Sequence, residues 1–560
     1  MTGLRVWIYL FGALLVVSLG PVQPETQALR NSGQARVPVP PQEQGYVIAG
    51  TVMNAITGAP LARARVSIAD TRARMQRIEM ETSEGGHFEF AHLAAGKYSL
   101  QGSRQGYITS FFEQHEQYST AIVTGAEFAT DKLVLRLTPM ATISGHVLDE
   151  SGEPVRSAQV QLFVEDHSEG MSRVNHAGGA SSDDRGYFDI GGLQPGTYFV
   201  SANAKPWYAV HPASGGANGD AAQKALAGLD VAYPTTYYGG ATESDGAAAI
   251  ELKGGDKREI DIRMSPAPAL HLLFHMSMEE GGGRIQMPIL QRHVFDMTEG
   301  APVGELRQVA PGVMEFAGVP AGRYDVSIRN GGPDGAQEFS EMDLRRDGQD
   351  LSATEGEALG KLNVNLKFSD GQALPRMYVA GLRDAGQRMA QLRPGDANGA
   401  VTFEAVKPGK YALVVLAQGR TYAVLRISAG TASTAGHDVT VASGAGTDVT
   451  AEVAAGDGLV EGMAVKNGKP VAGVMVALVP NDPEGHVEWF RRDQSDFDGT
   501  FALQGVIPGK YTIVAVEDAW GFDWMKPGVL AGYVKKGKSV EVGSSAAVRL
   551  EEGVEVQGSR

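Results

Sequence analysis

The chain predicts an all-β protein, a tandem array of five β-sandwiches behind a signal peptide. Three observations predict it. One short pattern returns five times. The strands it implies place apolar residues at every second position. Turn residues punctuate them, with 72 glycines and 27 prolines in 560 residues.

Each copy of the pattern begins at a glycine: Gly86, Gly186, Gly312, Gly399 or Gly499. It closes twelve positions later on the tyrosine of a Gly-x-Tyr triplet: Tyr98, Tyr198, Tyr324, Tyr411 or Tyr511. A fixed spacing of this kind means one structural unit used repeatedly. Residues two and four positions after the glycine, such as Phe88 and Phe90 or Phe501 and Leu503, share one face of a strand, which is therefore buried. Three positions on stands Leu93, Leu193, Val319, Val406 or Val506. A turn then leads into the tyrosine strand, and the pattern is read as a β-hairpin. The turn glycines, Gly96, Gly196, Gly322, Gly409 and Gly509, follow proline or alanine. Proline presets one turn angle, and glycine is expected to supply the positive one.

A second signature precedes the first in units one, two and five. It reads Pro60-Leu61, Pro154-Val155 and Pro470-Val471, with Val66, Val160 or Val476 six positions after the proline. Units near 100 residues, made of short strands and Gly/Pro turns, fit a β-sandwich rather than a short-period solenoid. The expected division is a signal peptide over 1–28, a Pro-rich linker over 29–44, and sandwiches over 45–140, 141–265, 266–356, 357–455 and 456–560. Contacts between sandwiches are expected to be small. The second sandwich carries an insertion, 204–240, with a flexible Ser214–Gly219 stretch and a short helix over Ala221–Leu229, capped by Asp220.

The stretch from Ile143 to Leu162 (ISGHVLDESGEPVRSAQVQL), closed by Asp184 to Tyr198 (DRGYFDIGGLQPGTY), resembles a carboxypeptidase regulatory-like domain. The resemblance covers most of units one, two and five, and mainly the glycine-to-tyrosine pattern of units three and four. It implies Greek-key, transthyretin- or immunoglobulin-like sandwiches, of the kind found in tandem in secreted or envelope proteins of acidobacteria-like bacteria. The segments Tyr233–Gly240 and Ile260–Met264 fit that style. The family takes its name from a non-catalytic domain, so the resemblance implies no peptidase activity. At most it suggests an accessory module of a peptidase system.

Arg5, the apolar run Val6–Leu19 and the site Thr26-Gln27-Ala28 read as a cleaved export signal. The run is short for a bilayer span, and no cysteine follows it to carry a lipid. Secreted, periplasmic or envelope localisation follows, with no membrane span in the mature chain. The chain has no cysteine at all, so no disulfide braces it and each sandwich depends on its own core. The formal net charge is −16 without a basic block, which argues for solubility and against nucleic acid as a partner.

No strong catalytic motif appears, and no cofactor or metal site is expected. The pair His271 and His275 falls on one strand face, as metal ligands would need, but is read as polar residues of a half-buried strand. The acids at the unit turns, Asp183-Asp184, Asp396 and Asp496 with Asp498, could offer oxygen to calcium, yet such residues cap turns with their own side chains. The candidate ligand-binding residues are aromatic. Nine positions after the tyrosine stands Tyr107, Trp207 or Trp520, joined by Tyr208 and Trp524. Flat rings beside acids and amides suit stacking on sugars, so polysaccharide is one candidate partner. The competing role for these rings is to plug the open end of each sandwich. The function expected is a non-catalytic structural or adhesion-type protein with envelope proteins as partners. The alternative is carbohydrate binding through the aromatic loops.

Overall fold

The computed structural model describes residues 45–559, apart from 74–75, 213–225, 276–287, 302–303, 330–336, 352–356, 370–374, 376, 386–387, 418–419 and 431. The export signal, the linker, the Ser214–Gly219 stretch and the start of the Ala221–Leu229 helix lie outside the described residues.

Alternation makes the strands, and two layers enclose each core; they are separate sheets in the first three sandwiches and join into one nine-stranded sheet in the fourth and in the fifth. In the first sandwich Tyr46–Asn54 lies between His87–Leu93, antiparallel, and Leu133–Leu137, parallel. The facing sheet sets Arg65–Asp70 between Arg77–Glu81 and Gly96–Ser103. Ile48, Val52, Phe88 and Leu135 from one sheet meet Val66, Ile68, Tyr98 and Leu100 from the other. The same plan organises the second core, from Ala141 to Met264, the fourth, from Leu362 to Val453, and the fifth, from Val460 to Val556. A smaller version builds the third, from Leu270 to Leu351.

The repeated pattern is not a hairpin. His87–Leu93 pairs with the first strand of its sandwich, while Gly96–Ser103 pairs with Arg65–Asp70 in the opposite sheet. The other four copies divide in the same way. The pattern is therefore a corner that carries the chain across the core. Side-chain alternation reads the same for a corner and a hairpin, because both bury one face of each strand.

Two features shape the corner. The residue before Leu93, Leu193, Val319, Val406 and Val506 is left-handed: His92 (φ 59°), Gly192 (79°), Gly318 (74°), Ala405 (56°) and Gly505 (70°). This extra residue is a bulge that bends the strand end and accounts for the step of three. Each tyrosine then donates its hydroxyl to the carbonyl four residues back, across the turn. The acceptors are Ala94, Gln194, Pro320, Lys407 and Ile507.

The turn glycines carry the expected positive angle in two of five copies, at 158° for Gly196 and 159° for Gly409, whereas Gly96, Gly322 and Gly509 do not. The demand is uniform at the first glycine of each copy, at 74°, 73°, 76°, 92° and 77° for Gly86, Gly186, Gly312, Gly399 and Gly499. There the chain also passes close to the first strand. A Cβ on Gly186 would stand 2.5 Å from the Val147 carbonyl oxygen.

The Pro–Leu/Val signature is pinned by a buried hydroxyl four positions before the unit glycine. Thr82 Oγ1 donates to Leu61 O and accepts from Ala64 N. Ser182 does the same with Val155 and Ala158, and Ser495 with Val471 and Val474. Gln308 and Gly395 occupy that position in the third and fourth units, where the signature fades.

Gly186→Ala is expected to destabilise the protein by about 2–4 kcal/mol through strain and the carbonyl collision. Gly96→Ala, at a glycine outside the positive-φ region whose Cβ would meet nothing closer than 3.8 Å, should cost under about 1 kcal/mol. Denaturant unfolding of the two full-length variants checks the contrast; equal losses would refute this assignment of the strained position.

Candidate functional site

The sandwiches are not beads on a string. Phe295 of the third packs on Phe163, Phe199 and Tyr237 of the second. Lys407 of the fourth pairs with Asp325 of the third at 2.7 Å. Ile507 of the fifth packs on Ala423 and Ala454 of the fourth. The fifth also returns to the first and the second, so contacts between sandwiches are extensive rather than small.

At that last junction the Arg492 side chain is only 1 % exposed. Its guanidinium makes a two-pronged ion pair with Glu116 of the first sandwich and donates to Ser168 O of the second. The planar cation lies over the rings of Tyr118, Trp520 and Trp524, at 5.1, 5.6 and 4.7 Å from their centroids. Desolvation makes such contacts stronger than they are at a surface. Trp520 stacks on His115 at 4.8 Å, and His115 Nδ1 lies 3.0 Å from Gln494 Oε1. Gln494 donates to Glu113 O and Thr120 Oγ1. Lys97 pairs with Asp496 at 2.5 Å, and Asp496 also accepts from Ala121 N. Asp523 takes His167 and the Ser172 amide from the second sandwich.

The sequence candidates separate here. Trp520 and Trp524 meet in the junction, and Trp524 is buried. Tyr107 lies against the first core and takes a hydrogen bond from Asn54. Trp207 is free, 86 % exposed, with its ring edge-on to Tyr208 at 5.7 Å. Tyr208 and Tyr233 both donate to the Glu150 carboxylate. The Tyr208 hydrogen bond holds that carboxyl below the ordinary range. Burial, reinforced by Glu150, pushes the Tyr208 phenol up.

The turn acids serve the backbone. Asp183 accepts from the Arg185 and Tyr187 amides, Asp396 from Asn398 and Ala400, and Asp498 from Thr500. His271 and His275 have separate partners. His275 faces Asp350, while His271 is buried against Asp230 at 2.8 Å and Glu315 at 3.2 Å. His211 closes on the other oxygen of Asp230 at 2.9 Å, and Arg307 on Glu315 at 2.6 Å. These residues form a hydrogen-bonded network across the second and third sandwiches. Sequence reading missed its members His211, Asp230, Arg307 and Glu315, as well as Arg492 and Glu116, because their partners are remote in the chain.

With this geometry in view, the model of the carboxypeptidase regulatory-like domain matches residues 47–119 and 142–214, within the first two sandwiches. The resemblance read from Ile143–Tyr198 holds there; the fifth sandwich, which carries the same signatures, lies outside the match. No curated protein matches the chain. Among solved structures, the Bacillus anthracis TIE protein is similar at 13 % identity, covering 73 % of this chain and 68 % of its own, with a TM-score of 0.16. The minor pilin GBS52 of Streptococcus agalactiae gives 10 % identity over 40 % of this chain and 97 % of its own, with a TM-score of 0.21. Two B repeat units of the Staphylococcus aureus collagen-binding protein give 12 % identity over 72 % and 99 %, with a TM-score of 0.12. Scores of this size carry no argument about arrangement or role. No helix among the described residues is long and apolar enough to cross a membrane.

Arg492→Ala is expected to destabilise the protein by about 2–4 kcal/mol, since it strands Glu116 and three stacked rings. Arg492→Lys should recover little, because an ammonium cannot fork onto the carboxylate. Thermal unfolding and the radius of gyration from solution scattering measure this, and an unchanged melting profile would contradict a clasp.

Asp493, beside this arginine, has its carboxyl pushed up to about 6 by burial. The folded state therefore holds a proton that the unfolded chain releases near pH 4. Its contribution is complete below about pH 4 and is lost as pH rises through about 6. Asp493→Asn keeps an acceptor for the Ala502 amide. It should raise stability by up to about 3 kcal/mol at pH 7.5 and change it little at pH 4, as read from unfolding curves at both values.

Proposed function

We propose that the chain is an exported, non-catalytic structural protein of the adhesion type. Its sandwiches are held as one block whose outer surfaces meet envelope partners. The observation that carries this reading is the Arg492 clasp. It joins the fifth sandwich to the first and second through a buried cation and four aromatic side chains, His115 included. Two of the rings suited to a ligand, Trp520 and Trp524, therefore serve cohesion between sandwiches. Intersandwich contacts with buried charge and stacked rings favour fixed geometry over independent domain motion. Fractionation of the native host tests the reading: the protein should be recovered in an exported fraction, beginning near Leu29, and beads carrying it should be retained by an envelope preparation. Cytosolic protein with Met1 intact, or no retention on any envelope fraction, would overturn it.

Polysaccharide binding is a second reading, favoured at one place. The exposed Trp207 ring stands beside Tyr208, whose hydroxyl is fixed by Glu150. An aromatic face with a neighbouring carboxylate suits a sugar ring. The full chain should then be retarded in affinity gels containing an envelope or plant glycan. Trp207→Ala should abolish the retardation without changing the melting profile, a loss on the order of 1–3 kcal/mol, comparable to other stacking platforms. Absence of retardation across a broad glycan panel removes this reading and leaves the structural one.

A further inference from the structure

Where the fourth and fifth sandwiches meet, three metal-ligating side chains converge from separate parts of the chain. His437 stands at the start of the Asp438–Val441 strand in the fourth sandwich. His486 and Glu488 come from the fifth, at and within the short 3-10 turn Val487–Trp489. One ligand atom from each lies within 4.8 Å of the other two.

Their polar atoms are buried and unsatisfied. His437 Nδ1, His486 Nδ1 and Glu488 Oε1 are all shielded from solvent, and none has a hydrogen-bond partner. The His437 and Glu488 side chains are 11 % and 17 % exposed. A single orphaned acceptor costs about 1–3 kcal/mol, so three converging on one point call for a shared partner. The His211–Asp230–His271 group is the internal contrast. It offers the same residue types, yet its atoms close on each other at 2.8 and 2.9 Å as ordinary hydrogen bonds. His437 Nδ1 and Glu488 Oε1 stand 3.5 Å apart. That is long for a hydrogen bond between them. It matches the separation of roughly 3.4 Å between two ligands about 2.1 Å from one tetrahedral ion.

The surroundings suit a cation. The His486 ring is held by stacking on Trp489 at 4.0 Å and 16°. His437 Nε2, on the ring edge away from Nδ1, lies 3.9 Å from the Asp438 carboxylate, which itself pairs with Lys410 at 2.7 Å. His437 and His486 line a cleft together with Asp384, Asp438, Asp482, Glu484 and Lys410, so its acids outnumber its one lysine and favour entry of a cation. The Arg383 and Arg491 guanidiniums interact with Glu488 through space, but among the described residues neither forms an ion pair within 4 Å of its carboxylate; Arg491 directs Nε and Nη1 to the carbonyls of Gly505, Glu488 and Phe490.

We propose that His437, His486 and Glu488 bind a divalent transition ion of the zinc class, which clips the fourth sandwich to the fifth. Two imidazoles and one carboxylate select such an ion over calcium or magnesium, which take oxygen ligands. Three protein ligands, two of them lining the cleft, leave a coordination position for water.

The test uses the full chain, stripped with a chelator and titrated with zinc chloride by calorimetry. One saturable site per chain is expected, together with a higher Tm in zinc. His486→Ala and Glu488→Gln should each weaken binding by about tenfold or more and remove the Tm increase. His211→Ala, at the hydrogen-bonded cluster, should leave zinc affinity unchanged. Cobalt(II) in place of zinc should show visible absorption of a four- or five-coordinate site, lost in Glu488→Gln. Glu488→Gln preserves side-chain shape and decides the matter if a histidine variant fails to fold. Absence of saturable binding, or undiminished affinity in Glu488→Gln, overturns the proposal. So does loss of affinity in His211→Ala with retention in His486→Ala.

Discussion

The rest of the fold depends on the hydrogen bond from a buried tyrosine hydroxyl to the carbonyl four residues before it. At each corner the chain leaves one layer of the sandwich and enters the other, so the corner carbonyl stands outside the strand ladders. The tyrosine ring fills the core below it and brings a donor to that carbonyl. The hydroxyl and the carbonyl satisfy each other, and in the first sandwich Thr124 adds a second donor to Ala94 O. Burial pushes the phenols up, to about 12 for Tyr324, so the donor proton stays in place at working pH. In a chain without cysteine this bond fixes the separation and registry of the two layers.

Much of this was legible in the residues. Spacing of two placed Phe88, Phe90, Tyr98 and Leu100 in the core, and they are there. The direction of the chain between them was not legible, because alternation is blind to whether two strands share a sheet. The left-handed angle at the first glycine of each copy is hidden for a related reason. Pro195-Gly196 has turn chemistry and a φ of 158°, but the need at Gly186 arises from the approach of the Val147 carbonyl, which belongs to another strand. The hydroxyls of Thr82, Ser182 and Ser495 were available at a constant offset and would have explained why the proline signature is confined to three units.

The candidate site was less legible. Trp207 and Trp520 hold equivalent places in their units, yet one is in solvent and the other lies on His115. What separates them is a neighbour several hundred positions away, and local sequence carries no record of it. His437 looks unremarkable in sequence for the same reason, since its companions belong to a different sandwich. Repeated positions report the shared fold; what each copy touches is set by the assembly of the copies.

The clasp also bears on the order of events during synthesis. Glu116 and Arg492 are separated by 376 positions. At a translation rate of about 5–20 residues per second, the first sandwich is complete on the order of 20–75 s before its arginine partner exists. Through that interval the faces carrying His115, Tyr118 and Lys97 are uncovered. The junction cannot close until the fifth sandwich is made, because Arg492, Trp520 and Trp524 all belong to it.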